Sequence, residues 1–198
     1  FFALKDIFTK IDPMVLRYYF ANHNYNTPLD FELDELFKIQ KSYNQPLLDD
    51  ITLNHVGDGV VALIGDNGRG KSTLLKILAG LDEQDGGKFE WGGKPRVGYL
   101  TQEIESLPTL SGGQKKIALL TDLLYSGEFD VLLLDEPDNH LDLDNKQWLA
   151  SAIKSFHGLV IMISHDRHLL KQISDYTWLV EDREIRTYPF GYGKFVVE

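Results

Sequence analysis

A glycine-rich loop ending in lysine and serine is the segment whose residues point most directly to chemistry. Residues 65–72 read Gly-Asp-Asn-Gly-Arg-Gly-Lys-Ser and directly follow the apolar run 60–64. Glycines at this spacing let backbone N–H groups curl around phosphates, while Lys71 reaches the β/γ-phosphates and the Ser72 hydroxyl is placed to bind Mg²⁺. The helix predicted to follow, closed by Gly80, points its positive end at the same anion. The sequence therefore predicts a nucleoside triphosphate site.

Two later apolar runs also end in residues with functional side chains. The run 131–134 leads into Asp135 and Glu136, and the run 159–163 leads into Ser164 and His165. Such continuous apolar runs are typical of central parallel strands, whose carboxyl ends meet at one edge of a sheet. There Asp135 would hold Mg²⁺, Glu136 would polarise an attacking water, and His165 would bond the γ-phosphate. We expect these residues and the glycine loop to form one site.

A third segment, Leu-Ser-Gly-Gly-Gln at residues 110–114, precedes an apolar helical pattern. Ser111 and Gln114 have the spacing of a capping box, and the glycines between them leave a bare, positive helix start. Such an end can receive a phosphate. The alternative interpretation is a plain capped helix.

Taken in order, these motifs resemble the nucleotide-binding domain of ATP-binding-cassette (ABC) proteins, over residues 31–198. The resemblance implies ATP and Mg²⁺ as ligands, Glu136 as the catalytic base, His165 as the switch histidine and Gln102 as the sensor of Mg²⁺ and the attacking water. It implies a metal site of Ser72, Gln102 and Asp135. The nucleotide-binding residues that it implies are Tyr43, which stacks on adenine, Gly65, Asn67, Gly68, Gly70, Lys71, Ser72, Thr73, Ser111, Gly113, Gln114 and Asp142, which touches the opposing subunit.

The resemblance also implies partners. In that family each ATP lies between the phosphate loop of one cassette and the Ser-Gly-Gly-Gln helix of another, so we expect a second cassette, as a homodimer or a tandem twin. Residues 135–142 are similar to the ABC-F branch, which is cytoplasmic and works on the ribosome, but Asp138 stands where that branch usually has Thr. The extra carboxylate could weaken Mg²⁺ binding or raise a neighbour's pKa.

Composition agrees with a cytoplasmic enzyme. The 198 residues are 43% hydrophobic, which suffices for one substantial core. No apolar stretch approaches the roughly 20 residues that a membrane-spanning helix needs, and no signal peptide is visible. The chain has no cysteine, and its net charge of −10 opposes non-specific binding to nucleic acid, so any RNA contact should be local.

The predicted fold class is α/β, a P-loop cassette with a mixed, largely parallel sheet. We expect strands near residues 31–39 and 47–53, a short hairpin between the glycine turns at 85–87 and 91–93, and a closing hairpin of 177–180 with 185–188. Only seven residues, 103–109, separate Gln102 from Leu110. The family holds a helical subdomain in this interval, so most of that subdomain is predicted to be absent.

Residues 1–30 do not look like a cassette. They are predicted to form a helical appendage of two short helices, 4–10 and 13–21, and they resemble a segment of cysteinyl-tRNA synthetases. The characteristic H-I-G-H and K-M-S-K-S motifs are missing, so no synthetase activity is expected.

Three functional hypotheses follow from the sequence. The first is an ABC-F-like ATPase acting on translation, the second is the ATPase subunit of a membrane transporter, and the third is an ATP-binding module with little or no hydrolysis.

Overall fold

A computed structural model describes residues 48–49, 51–101 and 112–197 of the chain, and the part from Leu48 onward forms one compact unit. The predicted N-terminal helices, the strand near 31–39 and the shortened interval 103–109 lie outside the described residues. The elements, in chain order, are β1 Gly59–Gly65, α1 Lys71–Leu78, β2 Val97–Leu100, α2 Gly112–Tyr125, β3 Val131–Asp135, α3 Leu143–Ser155, β4 Leu159–Ile163, α4 Arg167–Ile173, β5 Tyr176–Glu181, β6 Glu184–Tyr188 and α5 Tyr192–Phe195.

The six strands form one sheet in the order β2-β3-β4-β1-β5-β6. The first five strands of this order are parallel to their neighbours, and β6 alone runs antiparallel, beside β5. The predicted α/β class with a mixed, largely parallel sheet is confirmed. Because β1, β3 and β4 lie side by side and point the same way, the segments that follow them emerge at one edge.

Helices cover both faces of the sheet. On one face α1 packs its buried leucines against strand residues such as Leu63 and Leu133. On the other face α2, α3, α4 and α5 pack against residues such as Ala62 and Leu134. Strands β3 and β4 are buried along their whole length, as their continuous apolar runs predicted. Full burial of one such leucine or isoleucine stabilises the fold by about 1.5–3 kcal/mol, so these two strands form the centre of the core.

Two local predictions are confirmed by backbone geometry. Helix α1 ends at Leu78, and Gly80 follows with φ of 70°, the left-handed conformation that closes many helices. The closing hairpin exists as β5 and β6, and Asp182 and Arg183 at its turn have φ of 49° and 68°. Both turn residues are left-handed, which matches the twist of a tight two-residue hairpin.

Two other local predictions are wrong. The described residues of the segment 47–53 form no strand, and neither do residues 85–96, where a hairpin was expected. The outgoing strand of that hairpin, expected to lead into Gln102, does exist as β2. In the second segment the rings of Phe89 and Trp91 contact each other at 5.1 Å between centroids, and none of the strands that the structure describes pairs with this segment. Turn residues predicted the bends correctly, but a strand also needs a partner.

The N-terminus of α5 fits tightly against the end of α4. An ideal Cβ on Gly191 would lie 2.0 Å from the Ser174 carbonyl oxygen, whereas one on Gly193 would lie 3.8 Å from its nearest neighbour, the Lys171 carbonyl oxygen. The Tyr192 amide also donates to Ser174 Oγ at 2.8 Å. The close approach therefore depends on the missing side chain at Gly191.

We expect Gly191→Ala to lower the free energy of unfolding by about 1–3 kcal/mol, because the methyl group must displace backbone. Gly193→Ala is the matched control, since ordinary space surrounds that position and alanine favours the helix. Urea denaturation of the two variants measures the difference. Equal stabilities would contradict the proposed crowding.

A salt bridge joins α3 to the start of α4. Lys146 Nζ lies 2.8 Å from Asp166 Oδ2, and both side chains are less than one-third exposed. The hydrogen bond from Lys146 lowers the pKa of the Asp166 carboxyl below its ordinary value of 3.8. Asp166 Oδ1 also accepts hydrogen bonds from the amides of His168 and Leu169, capping α4.

We expect Asp166→Asn to be less stable than the wild type by about 1 kcal/mol at neutral pH, because asparagine keeps the cap but loses the ion pair. A carboxyl with a lowered folded-state pKa stabilises the fold above its ordinary value, 3.8, and this contribution disappears as the pH falls through the folded value. The urea midpoints of the wild type and Asp166→Asn should therefore converge as the pH is lowered from neutral to acidic. Asp58→Asn, at an exposed bend, is the control, and a pH-independent gap would contradict the ion-pair explanation.

Candidate functional site

The glycine loop has the backbone conformation that a phosphate cradle requires. Gly65, Gly68 and Gly70 have φ of 143°, 74° and 90°, all in the region that favours glycine. A Cβ on Gly65 would lie 2.4 Å from the Val180 carbonyl oxygen, so the loop leaves β1 pressed against β5. Gly70 is the N-cap of α1 and has no side chain to occupy the first N–H groups of the helix. Those groups remain oriented for an anion.

Lys71 lies inside this loop. Its side chain is buried, and its Nζ donates hydrogen bonds to the carbonyl oxygens of Gly65 and Asp66, each at 2.8 Å. Burial lowers the pKa of Lys71, and the charges of Glu136 and Asp135 oppose that shift. The amine is thus held at the mouth of the loop beside two carboxylates. The half-buried Ser72 and Thr73 follow in the first turn of α1.

Asp135 ends β3 directly beneath the loop. Its side chain is only 2% exposed, and its Oδ1 has no hydrogen-bond partner among the described residues. Burial raises its pKa, and the hydrogen bond from the Ser72 hydroxyl is the main opposing cause. A buried carboxylate oxygen without a partner beside a hydroxyl fits a Mg²⁺ ion, which prefers oxygen ligands and takes its other ligands from phosphates and water. Ser72 and Asp135 would hold this ion.

Tyr99, on β2, adds a phenol to the floor of the site. Its hydroxyl is buried without a partner among the described residues. Burial, with a smaller effect of the Asp135 charge, raises the pKa of Tyr99 to about 12. The phenol therefore stays neutral at physiological pH and adds no negative charge near Asp135.

Glu136 is held in an unusual backbone conformation. Its φ is 49°, and its amide donates to the Ile163 carbonyl oxygen at 3.0 Å, which ties the residue to the end of β4. His165 Nε2 lies 3.4 Å from Glu136 Oε1, and the Asn139 amide group donates to Oε2. The left-handed turn directs the carboxylate away from the strand, toward the histidine. The structure thus brings together the predicted pair Glu136 and His165.

A cavity of about 410 Å³ joins the glycine loop to the end of β4. Its wall continues from the loop past the histidine to two aromatic side chains of α5. The lining residues are Leu63, Ile64, Gly65, Asp66, Asn67, Lys71, Ser164, His165, Arg167, Leu170, Tyr192 and Phe195. Gly65, Asn67, Lys71 and His165, all predicted site residues, therefore line one cavity, and their roles in binding ATP stay a prediction.

Other predicted residues lie elsewhere. Gly113 and Gln114, in the first turn of α2, and Asp142 are not among the described residues that line this cavity. Asp142 instead caps α3, where its Oδ1 accepts from the Asn145 amide at 2.9 Å. Tyr43, Gln102 and Ser111 lie outside the described residues. Of the predicted residues on the loop side, Gly68, Gly70, Ser72, Thr73, Asp135 and Glu136 do not line this cavity either.

Sequence reasoning missed Asn139 and Lys116 as neighbours of Glu136. Lys116 Nζ donates to the Glu136 carbonyl oxygen at 2.7 Å. A signal existed, because Lys116 lies one helical turn before the buried Leu120 and therefore on the core-facing side of α2. A lysine within the apolar stripe of a helix indicates a buried cation that needs partners.

Metal-ligand clusters and membrane-spanning helices are both absent from the described part of the chain. It contains no group of three or more His, Cys, Asp or Glu side chains able to hold a metal ion. Within the same residues no helix is both long enough and apolar enough to cross a bilayer.

Comparisons with known proteins agree with this site. The family described as "ABC transporter" matches residues 48–105, and the "AAA domain, putative AbiEii toxin, Type IV TA system" family matches residues 98–171. The probable ATP-binding protein YheS of Escherichia coli K12 is 32% identical over 193 aligned residues, covering 76% of this chain and 30% of YheS. ABC transporter F family member 4 of Dictyostelium discoideum is 35% identical, covering 67% of this chain and 15% of the relative.

Two further matches have names connected with translation. The energy-dependent translational throttle protein EttA of Mycobacterium tuberculosis is 26% identical, covering 77% of this chain and 41% of EttA. The solved structure of the archaeal ribosome recycling factor aABCE1 with the stalk protein aP1 superposes with a TM-score of 0.61 at 23% identity, covering 70% of this chain and 36% of that one. That likeness shows the shared fold.

The chain spans less than half the length of each of these relatives. Its motifs, its sheet and its relatives agree on one assignment. The chain belongs to the ATP-binding-cassette family, and its nucleotide-binding domain is ABC-F-like.

Proposed function

We propose that this cassette binds ATP with Mg²⁺ and hydrolyses it, and that ATP-driven closure on a second cassette acts on translation at the ribosome. The observation that carries the proposal is the Glu136 carboxylate, which leaves the central sheet in a left-handed turn 3.4 Å from His165 Nε2 and next to the buried Asp135. A base, a metal-binding carboxylate and a phosphate loop at one sheet edge are the parts that phosphoryl transfer to water requires.

The loop residues would bind and orient the triphosphate. The first N–H groups of α1 face the phosphates, and Lys71 exchanges its bonds to the Gly65 and Asp66 carbonyl oxygens for bonds to the β- and γ-phosphates. Ser72 and Asp135 would hold Mg²⁺, which when bound neutralises charge on the phosphates. Desolvated positive charge at this position stabilises the extra charge of the transition state.

Glu136 would act on the attacking water. Its carboxylate is the acceptor for the water's proton, while the Asn139 amide holds Oε2 and His165 lies beside Oε1. Both contacts restrict the carboxylate to a narrow range of positions, which is the main contribution that a protein makes to this reaction. His165, about half exposed, would bond the γ-phosphate from the open side of the cavity.

A second cassette would complete the site. In this proposal Gly113, Gln114 and Asp142 serve the nucleotide of a partner cassette, as a homodimer or a tandem twin, which is the arrangement that the family resemblance implies. The names of EttA and aABCE1 support a role in translation. A cytoplasmic location follows from that role, and the net charge of −10 requires that any contact with RNA be local.

One observation favours a second candidate, an ATP-binding module with little hydrolysis. Asp138 is buried two residues after Glu136, and its Oδ1 has no partner within the described residues. A third carboxylate this close to Asp135 and Glu136 adds negative charge to the turn that carries the proposed base. Turnover measurements separate the two candidates.

We expect Lys71→Ala to abolish ATP binding, because the variant loses the only buried amine that the described loop places at the phosphates. Isothermal titration with ATP and Mg²⁺ measures the effect. Lys154→Ala, on the exposed side of α3, is the control and should bind as the wild type does. Unchanged affinity in Lys71→Ala would refute the phosphate-loop assignment.

We expect Glu136→Gln to abolish turnover and to accumulate a nucleotide-bound dimer, because the amide cannot accept the water's proton. Steady-state phosphate release and light-scattering mass with ATP measure the two effects. Glu90→Gln, in an exposed loop, should behave as the wild type. A wild type that binds ATP but neither turns over nor dimerises would favour the second candidate.

A further inference from the structure

Helix α2 carries a lysine on its buried face. The Lys116 side chain is 4% exposed, and it lies one turn before Leu120, which belongs to the core on this side of the sheet. Removing an ammonium group from water costs several kcal/mol unless the protein provides partners. The partners of Lys116 therefore indicate what the residue does.

Both partners belong to one turn. Lys116 Nζ donates to the carbonyl oxygen of Glu136 at 2.7 Å and to that of Asn139 at 3.3 Å. The same turn is closed by its own bonds, from the Asn139 amide to the Glu136 carbonyl oxygen and from the Leu141 amide to the Asp138 carbonyl oxygen. The Lys116 amine thus forms hydrogen bonds to Glu136 and Asn139, the first and last residues of the turn that carries the Glu136 carboxylate.

The charges around Lys116 match this placement. Burial lowers the pKa of Lys116, and the negative charges of Asp138, Glu136 and Asp135, in that order, oppose the shift. Asp138 is itself 4% exposed. Lys116 therefore lies among three carboxylates, and the extra acid at position 138 has a compensating charge beside it.

The hydrogen bonds from Lys116 also affect the position of the Glu136 side chain, through Asn139. Asn139 donates its side-chain amide to Glu136 Oε2, so the residue that Lys116 holds by its carbonyl oxygen holds the carboxylate in turn. A shift of this turn would move Glu136 relative to His165. Misplacement by about 1 Å at a reacting group can lower a rate on the order of a hundredfold.

We propose that Lys116 is a positioning residue that fixes the 136–139 turn and thereby sets the place of the Glu136 carboxylate without touching the substrate. Its effect on turnover rests on the proposed function. Its effect on the turn does not. Gly113 and Gln114 lie in the first turn of the same helix as Lys116. The contact therefore links the residues proposed to serve a partner's nucleotide to the turn that carries the proposed base, Glu136.

The test compares Lys116→Met with Lys154→Met, an exposed lysine of α3. We expect kcat to fall tenfold to a hundredfold in Lys116→Met, with the dissociation constant for ATP unchanged within about twofold, because the phosphate loop is intact. We also expect faster hydrogen exchange at the Asn139 and Leu141 amides, while the β3 and β4 amides stay protected. Turnover and exchange equal to those of Lys154→Met would overturn the proposal.

A second variant separates position from charge. Lys116→Met leaves Asp138 buried without its compensating cation, so the double variant Lys116→Met/Asp138→Asn should recover stability against urea. If Lys116 acts by holding the turn, the double variant keeps the low kcat and the fast exchange. If the double variant recovers the wild-type kcat and slow exchange, charge compensation alone explains the effect of Lys116, and the proposal is overturned.

The two proposals fail in different ways. A wild type without ATP turnover refutes hydrolysis but leaves the exchange measurement valid, since the amides of the turn report on Lys116 directly. Faster exchange in Lys116→Met and in the double variant then supports the positioning role, and unchanged exchange overturns it. A wild type with turnover and a Lys116→Met variant with equal kcat refutes only the positioning role.

Discussion

The parallel pairing of β3, β4 and β1 is the constraint on which the rest of the structure depends. Leu134 and Ala62 are both in register with Met162, so the ends of the three strands reach the same level. Each strand then releases one part of the site: the glycine loop from β1, the two carboxylates from β3, and the histidine from β4. These parts come from regions that lie about 30 to 100 residues apart in the chain, and only shared hydrogen bonds across the sheet bring them together.

At this edge of the sheet, charged side chains of both signs are buried close together. Lys71 and Lys116 are buried cations, and Asp135 and Asp138 are buried carboxylates, each with one oxygen that has no partner among the described residues. Burial moves the pKa of Lys71 and of Lys116 down and that of Asp135 up, while the opposite charges nearby counter each shift. Such an arrangement fits a site that becomes balanced when a polyanion and a cation bind.

Much of this could be read from residue types and spacing. The glycine loop has a spacing that only a phosphate cradle explains well, and β3 and β4 were recognisable as central strands because they are apolar without alternation. The same reasoning failed where structure depends on a distant partner. Turn residues placed the bends around Phe89 and Trp91 correctly, but no described strand pairs with this segment, and whether a segment finds a pairing partner is not encoded in its local sequence.

The sequence by itself determined which side chains follow the apolar runs: a glycine-rich loop with lysine and serine, two carboxylates, and a histidine. Only the tertiary structure decided how the base is held. Glu136 takes a left-handed backbone conformation because its amide donates a hydrogen bond to the Ile163 carbonyl oxygen in the neighbouring strand. Lys116, 20 residues earlier in a helix, donates to the Glu136 carbonyl oxygen and so holds the turn. Local propensity favours neither a left-handed glutamate nor a buried lysine. Both exist because hydrogen bonds between distant segments outweigh the local cost.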